Sequence, residues 1–388
     1  MLSNLYHFSR SVHHPGLTEA VSDCLQSLDG ERTLNALIGS TRRIVAHREP
    51  HWQAAACTNL QQTGVLLNTK LEDPATTLKE VPKLMEELAS ALDSSAADAL
   101  REDTAYLHRV LCERFPDSPT VGTKALFALL GTNVQGWAGE GASNHKAPLV
   151  ADSNRSLAIA LNQPASRQQV LSVLEKGTYL KHLADNMNHY RDDPEVLASY
   201  LDVMQALAND TKGMDLLDKA GGASGDSVTR RLMALMVAHR ADTPVVNGVL
   251  GFFAKMAALD RPTPESLLDA NFQRTIDDVA GLTLEGLAAA IRLRTALYTQ
   301  MSKEDNLPAV TRLSNMALEM MNDPSATHKK GAPVLVALSG LIERMADSEH
   351  HDSIIKTRIL DIPEKELNNP IVDPKVMESL LCALLPTV

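Results

Sequence analysis

His182, Asp185 and His189 stand at i, i+3 and i+7, which puts two imidazoles and a carboxylate on one face of a predicted helix. Such a set could hold zinc if the helix ran unbroken and a fourth group joined it. The competing reading is a solvated helix face, because Lys181, Asn186 and Asn188 lie among them. The other histidines offer less. His13-His14 and His350-His351-Asp352 read as exposed loop residues, and Pro50 breaks the helix that would align His47 with His51. Asp192-Asp193 and Asp277-Asp278 lack the third acid, and the matching second site, that an aspartate-rich metal–diphosphate centre needs. Glu195, next to Pro194, is better placed to favour a helix N-terminus.

The glycine-rich stretches do not bind phosphate by any known loop pattern. Gly136 to Gly141 has the wrong order of spacings and no strand before it, and Gly221 to Gly225 has no Lys-Ser or Lys-Thr after it. Ser224 is no nucleophile elbow, since Asp226 stands where a glycine is required. The four cysteines (Cys24, Cys57, Cys112, Cys382) are far apart and sit among apolar neighbours, as small buried hydrophobes of a reducing compartment do. The expectation is therefore a chain with no catalytic, cofactor or metal site. An all-α metal-dependent enzyme using His182, Asp185 and His189 is the competing class.

Composition points to helices. Of 388 residues, 44% are hydrophobic but only 4% aromatic, the bulk being Leu, Ala, Val and Met, which favour helix over sheet. The net charge of −11 disfavours a nucleic-acid ligand, and the densest basic clusters are only Arg42-Arg43 and Lys329-Lys330. No apolar run spans a bilayer: the best candidate, Val245 to Leu259, is interrupted by Asn247 and Lys255. Residues 1–18 carry serines, Arg10 and no acid, which leaves a mitochondrial leader as the alternative to a cytoplasmic chain.

Apolar periodicity predicts helices over 17–28, 31–47, 52–67, 84–92, 97–115 and 121–130, with Pro74 and Pro82 punctuating a link. Residues 131–154 read as a glycine-rich loop dividing an N-terminal block (1–130) from clearer repeats (155–360). In the repeats, helices are expected at 155–162, 167–190, 194–208, 211–219, 227–239, 244–259, 264–276, 283–301, 307–322 and 331–347. Prolines, Pro308 and Pro333 included, are expected near their ends. The last stretch, 361–388, reads as an extended segment and a capping helix at 374–385.

The repeats show directly in the residues. Arg191-Asp192-Asp193-Pro194 leads into Tyr200, Leu201, Val203, Met204, Leu207 and Ala208. Arg240-Ala241-Asp242-Thr243-Pro244 leads into Val249, Leu250, Phe252, Phe253, Met256 and Ala257, an offset of 49 (191 to 240). A third copy runs from Pro333 through Leu338, Leu341, Ile342 and Met345, at an offset of 89 (244 to 333). Units of this length that cannot close their own apolar faces stack on one another, which predicts an all-α helical solenoid.

The run Val203 to Asp210, followed by Gly213 to Ala223, Leu232 to Met236 and the Asp242-Thr243-Pro244 turn, resembles the armadillo repeat family. A weaker instance is Gln168 to Gly177 followed by Tyr179 to Leu183. The match is good over about 165–260 and extends to 347; the period also fits HEAT-like repeats. It departs from the family where Ser224 to Ser227 are inserted and where the repeats drift in length. Trp and Asn ladders of basic-peptide binders are not reproduced: Trp52 and Asn59 fall in a poorly matching region, and Asn247 has no Trp nearby. The resemblance implies a right-handed superhelical solenoid serving as a scaffold or adaptor that binds protein partners, and the net charge of −11 predicts partners of basic or mixed surface. The alternative is an accessory subunit of a large complex, a mitochondrial one if residues 1–18 are a leader. The residues that the core stripe leaves outside on the last helix of each unit are Ser199, Asp202 and Gln205 in one copy and Asn247, Gly251 and Lys255 in the next.

Overall fold

The computed structural model describes residues 30–47, 52–68, 74–92, 98–115, 126, 147–176, 179–219, 226–259, 263–301, 303–322 and 328–347. Among the described residues every regular element is helical and there is no strand. The chain forms two compact units, Met1–His189 and Tyr190–Val388.

In the first unit the helices are α1 (Gly30–His47), α2 (Trp52–Asn68), α3 (Pro74–Ala91), α4 (Asp98–Arg114), α5 (Ala147–Asn162), α6 (Pro164–Lys176) and α7 (Leu183–His189), with a 3-10 turn at Leu180–His182. The α1, α2, α4 and α5 helices pack in sequence, each on the next. Their core is aliphatic, with Ile38, Leu60, Leu84, Leu88, Leu107 and Leu149 all buried. A few polar links cross it: Gln61 Nε2 donates to Asp103, Arg109 Nε donates to Asp152 at 2.8 Å, and the Tyr179 hydroxyl donates to Asn154 at 2.7 Å. Cys57 and Cys112 are free and buried, and burial pushes both thiols up to about 12, so neither is a thiolate at neutral pH.

Three expectations change here. Residues 147–154 are helical rather than loop, and α5 packs directly on α4. Asp152, Ser153, Asn154 and Ser156 are buried on α5, which masks the apolar period that would reveal a helix. The expected link around Pro82 lies inside α3. The single helix expected over 167–190 is instead α6, a 3-10 turn and α7. The expected 17–28 helix, most of 121–130, residues 131–146, Gly221 to Gly225 and the 361–388 segment lie outside the described residues.

The second unit contains α8 (Pro194–Leu207), α9 (Thr211–Lys219), α10 (Asp226–Ala238), α11 (Thr243–Ala258), α12 (Glu265–Leu268), α13 (Ala270–Ala280), α14 (Leu284–Leu297), α15 (Lys303–Asn322) and α16 (His328–Asp347). Here α8, α11, α14 and α16 form the row of neighbours. Helices of the two rows after α1 begin at 52, 98 and 147, then at 194, 243, 284 and 328, a recurrence of 41–49 residues. The two copies read from sequence are equivalent: Asp193 N–H donates to the Tyr190 carbonyl at 2.9 Å, and Asp242 N–H to the His239 carbonyl at 2.8 Å, closing the same turn. Val249, Phe252, Phe253 and Met256 on α11 and Leu338, Leu341, Ile342 and Met345 on α16 are all buried. Between them stands α14, the unit that an offset of 89 residues skips.

Capping sets the helix starts. Asp193 Oδ1 accepts from the N–H groups of Glu195 and Val196 at 3.1 Å each, with Pro194 in the first turn. Thr283 Oγ1 accepts from Gly286 N–H at 3.0 Å, and Asp269 caps α13. Asp193→Ala is expected to lower the unfolding free energy by about 1 kcal/mol, read from urea denaturation. No loss would mean that this cap is redundant with the tertiary contacts of α8. Two prolines overturn the expectation that prolines fall near helix ends: Pro308 and Pro333 lie inside α15 and α16. Packing of α16 in the row, and of α15 against α13 and α14, outweighs the missing backbone hydrogen bond.

Candidate partner-binding surface

The residues proposed for chemistry are not assembled. His182 closes the 3-10 turn and is half-buried, while Asp185 and His189 on α7 are exposed. Among the described residues no three His, Cys, Asp or Glu side chains come together to hold a metal. Of the paired aspartates, Asp193 is a helix cap and Asp192 is exposed. Asp277 is buried, with Arg312 Nη1 donating to its Oδ2 at 3.0 Å and Arg294 Nη2 lying 3.8 Å from its Oδ1; Asp278 is exposed. Arg294 is only 1% exposed, so this cluster belongs to the packing of α13, α14 and α15. Burial pushes the Asp277 carboxyl up to about 6, with Arg294 and Arg312 opposing.

The six residues placed on the open face of the repeats divide into three groups. Ser199 is fully buried, its hydroxyl donating to the Val196 carbonyl at 2.7 Å, and so it is not on any open face. Its neighbours Val196, Leu197, Ala198, Tyr200 and Leu201 are buried as well, so this turn of α8 is enclosed beyond its apolar stripe. Asp202 is exposed and Asn247 half-buried. Gln205, Gly251 and Lys255 meet in the seam between α8 and α11. A Cβ at Gly251 would overlap the Gln205 carboxamide, and Lys255 Nζ donates to the Gln205 carbonyl at 3.1 Å.

Beyond that seam the row opens into a groove of about 780 Å³ crossing α11, α14 and α16. Its α11 side is made by Ala254, Lys255 and Ala258, its α14 side by Arg292 and Ala296 with Gln300 from the turn after the helix, and its α16 side by Gly340, Glu343 and Arg344. Small side chains leave the space, and polar ones tie the walls: Gln300 Nε2 donates to the Ala257 carbonyl at 2.9 Å and Arg344 Nη2 to Thr299 Oγ1 at 3.4 Å. Lys255 is the one residue of the sequence-derived set that lines it. Arg292 and Gln300 escaped sequence reasoning because α14 shares no obvious motif with α8 or α11, so its register on the row could not be assigned; Arg344 stands on α16 at the 89-residue offset from Lys255 and was within reach of the third copy.

Within each unit a row of helices, recurring every 41–49 residues and packed each on the next, defines an armadillo-type helical repeat protein. The sequence model of the GAC ARM domain matches residues 31–388, and the chain belongs to that family. No curated protein matches the chain in sequence. Among the described residues no helix is long and apolar enough to cross a membrane.

Proposed function

We propose that this chain is a non-catalytic scaffold or adaptor that binds protein partners through the exposed face of its helix row. The observation that supports this reading most directly is the groove across α11, α14 and α16, whose walls are made by equivalent helices of successive repeats. Binding in such a groove draws on contact area and a few anchors rather than on a reactive centre. The chain's charge of −11 favours approach by partners of basic or mixed surface, at rates that fall with added salt.

The reading as a subunit embedded in a large assembly gains less support. The large apolar side chains left exposed among the described residues are Val173, Val237, Leu282 and Val336, far apart along the chain. The full chain is expected to elute from size exclusion as a monodisperse monomer and to capture specific proteins in affinity purification read by mass spectrometry. Aggregation of the isolated chain would favour the embedded subunit, and stoichiometric zinc or iron in the purified protein would revive a metal-dependent enzyme.

A further inference from the structure

Two successive turns of the second unit are joined by one imidazole. His239 follows α10 in the turn that leads into α11, 49 residues after Tyr190 in the turn that leads into α8. Its Nε2 lies 2.6 Å from the Arg191 carbonyl oxygen of the earlier turn, and its Nδ1 lies 2.9 Å from Asp242 Oδ2 in its own. A carbonyl and a carboxylate only accept, so both ring nitrogens must donate, and the imidazolium alone carries two N–H groups. The aspartates of the two turns are used differently. Asp193 caps α8 with its side chain, whereas Asp242, at the equivalent place before α11, makes no cap hydrogen bond and faces the ring instead. Among the described residues Asp242 is the one charged partner of the ring. Arg191 lies instead against Asp192 at 3.6 Å, and Arg240 is exposed. The helices about this corner bring Glu195 and Asp202 on α8, Arg230 and Arg231 on α10, and Lys255 on α11. Glu265 on α12 and Arg274, Asp277 and Asp278 on α13 complete the charged groups of the helices packed on α10, and none of them pairs with the ring.

We infer that His239 is a proton-operated clasp between two successive repeats, holding the Arg191 turn to the Asp242 turn as the imidazolium and releasing it when the ring gives up a proton. The proton given up is the one on Nε2. A neutral imidazole keeps a single N–H, and the charged acceptor three residues away holds it better than the neutral carbonyl of another repeat. Nε2 then turns a lone pair toward the Arg191 oxygen, and that contact becomes repulsive. The side chain is 14% exposed, so water can carry the proton in and out. Imidazoles make this exchange between about pH 5 and 8. The clasp is complete at the acid end of that range and is lost toward the alkaline end. The two turns lead into α8 and α11, so release frees the starts of two helices that pack on each other. The inference stands apart from the scaffold reading and holds whatever the helix row binds.

The test is NMR of the full chain carrying nitrogen-labelled histidine, followed from pH 5.5 to 8, with the His239 signals assigned by their absence in His239→Gln. Both ring nitrogens are expected to be protonated at pH 5.5, and the neutral ring at pH 8 to keep its proton on Nδ1. Hydrogen exchange read by mass spectrometry, corrected for intrinsic rates, reports the clasp itself. Protection of residues 190–196 should fall about fivefold from pH 5.5 to 8, the equivalent of one lost hydrogen bond. In His239→Gln it should be low and level at both. Asp242→Asn separates a switch from a merely structural contact. With the carboxylate gone, Nδ1 can accept from the Asn amide while Nε2–H stays on the Arg191 carbonyl. This variant should therefore keep at pH 8 the protection that wild type shows at pH 5.5. A neutral ring at pH 5.5, a proton on Nε2 at pH 8, or wild-type protection that is level with pH overturns the inference. So does the same fall in Asp242→Asn as in wild type. The wild-type and Asp242→Asn exchange results decide the matter even if His239→Gln does not fold.

Discussion

Arg294→Met is expected to lower the unfolding free energy by about 3–5 kcal/mol at pH 8, and by less at pH 5. Arg294 is fully buried, and its guanidinium is one of two that face the buried carboxyl of Asp277. Removing it leaves that carboxyl with Arg312 alone, whose side chain is about a third exposed. The pH dependence follows from the titration of Asp277. Its carboxyl stands at about 6 in the fold, against an ordinary value of 3.8, so the folded chain holds a proton that the unfolded chain releases. The stability contributed by that proton is complete below the unfolded value and is lost as pH rises through the folded one. Without Arg294 the folded value moves higher still, and the loss continues into the neutral range. The gap between wild type and variant therefore widens from pH 5 to pH 8. Urea denaturation at both pH values checks it, and a gap equal at the two would show that Arg294 acts by packing alone. Adding Asp277→Leu to the variant should recover most of the loss, because no buried charge is then left unmatched.

Gly248→Leu is expected to cost about 2–3 kcal/mol, although leucine favours helix over glycine by roughly 1 kcal/mol. At Gly248 the first side-chain carbon alone would stand 2.7 Å from Leu201 Cβ and 2.9 Å from its Cδ1. Both positions are buried where α8 meets α11. Leu201→Ala by itself should cost about 2–5 kcal/mol through the space that it vacates. The double variant should lose at least about 1 kcal/mol less than the sum, since the new leucine enters the vacated space. Strict additivity in denaturation experiments would mean that the two helices do not meet at these residues. The pair tests the contact between successive repeats on which the armadillo assignment depends.

Much of the second unit is legible in the residues. The α9 helix occupies its expected span, and α8, α10 and α11 begin and end within a residue of it. Each starts at a proline or capping acid and carries a long apolar stripe, so local chemistry and burial point the same way. Legibility fails where they disagree. The first two turns of α5 carry Asp152, Ser153 and Asn154, polar residues that read as loop until Arg109 and Tyr179 are seen to satisfy two of them. Pro308 and Pro333 read as boundaries, yet α15 and α16 run through them, with Ala309 and Val310 buried just after the first and Val334 and Leu335 just after the second.

The sequence by itself determined that the chain is all-helical and built from repeats of one type, because apolar period, capping and the 49-residue offset are properties of the chain read along its length. Tertiary structure alone decided which faces stay open. Ser199 vanished into the core, Gln205 and Gly251 became contacts between helices, and Arg292 and Arg344 came to line a groove with Lys255. Exposure on a stacked helix depends on the crossing of its neighbours, and that crossing is fixed by side chains 40–50 residues away, such as Leu201 against Gly248.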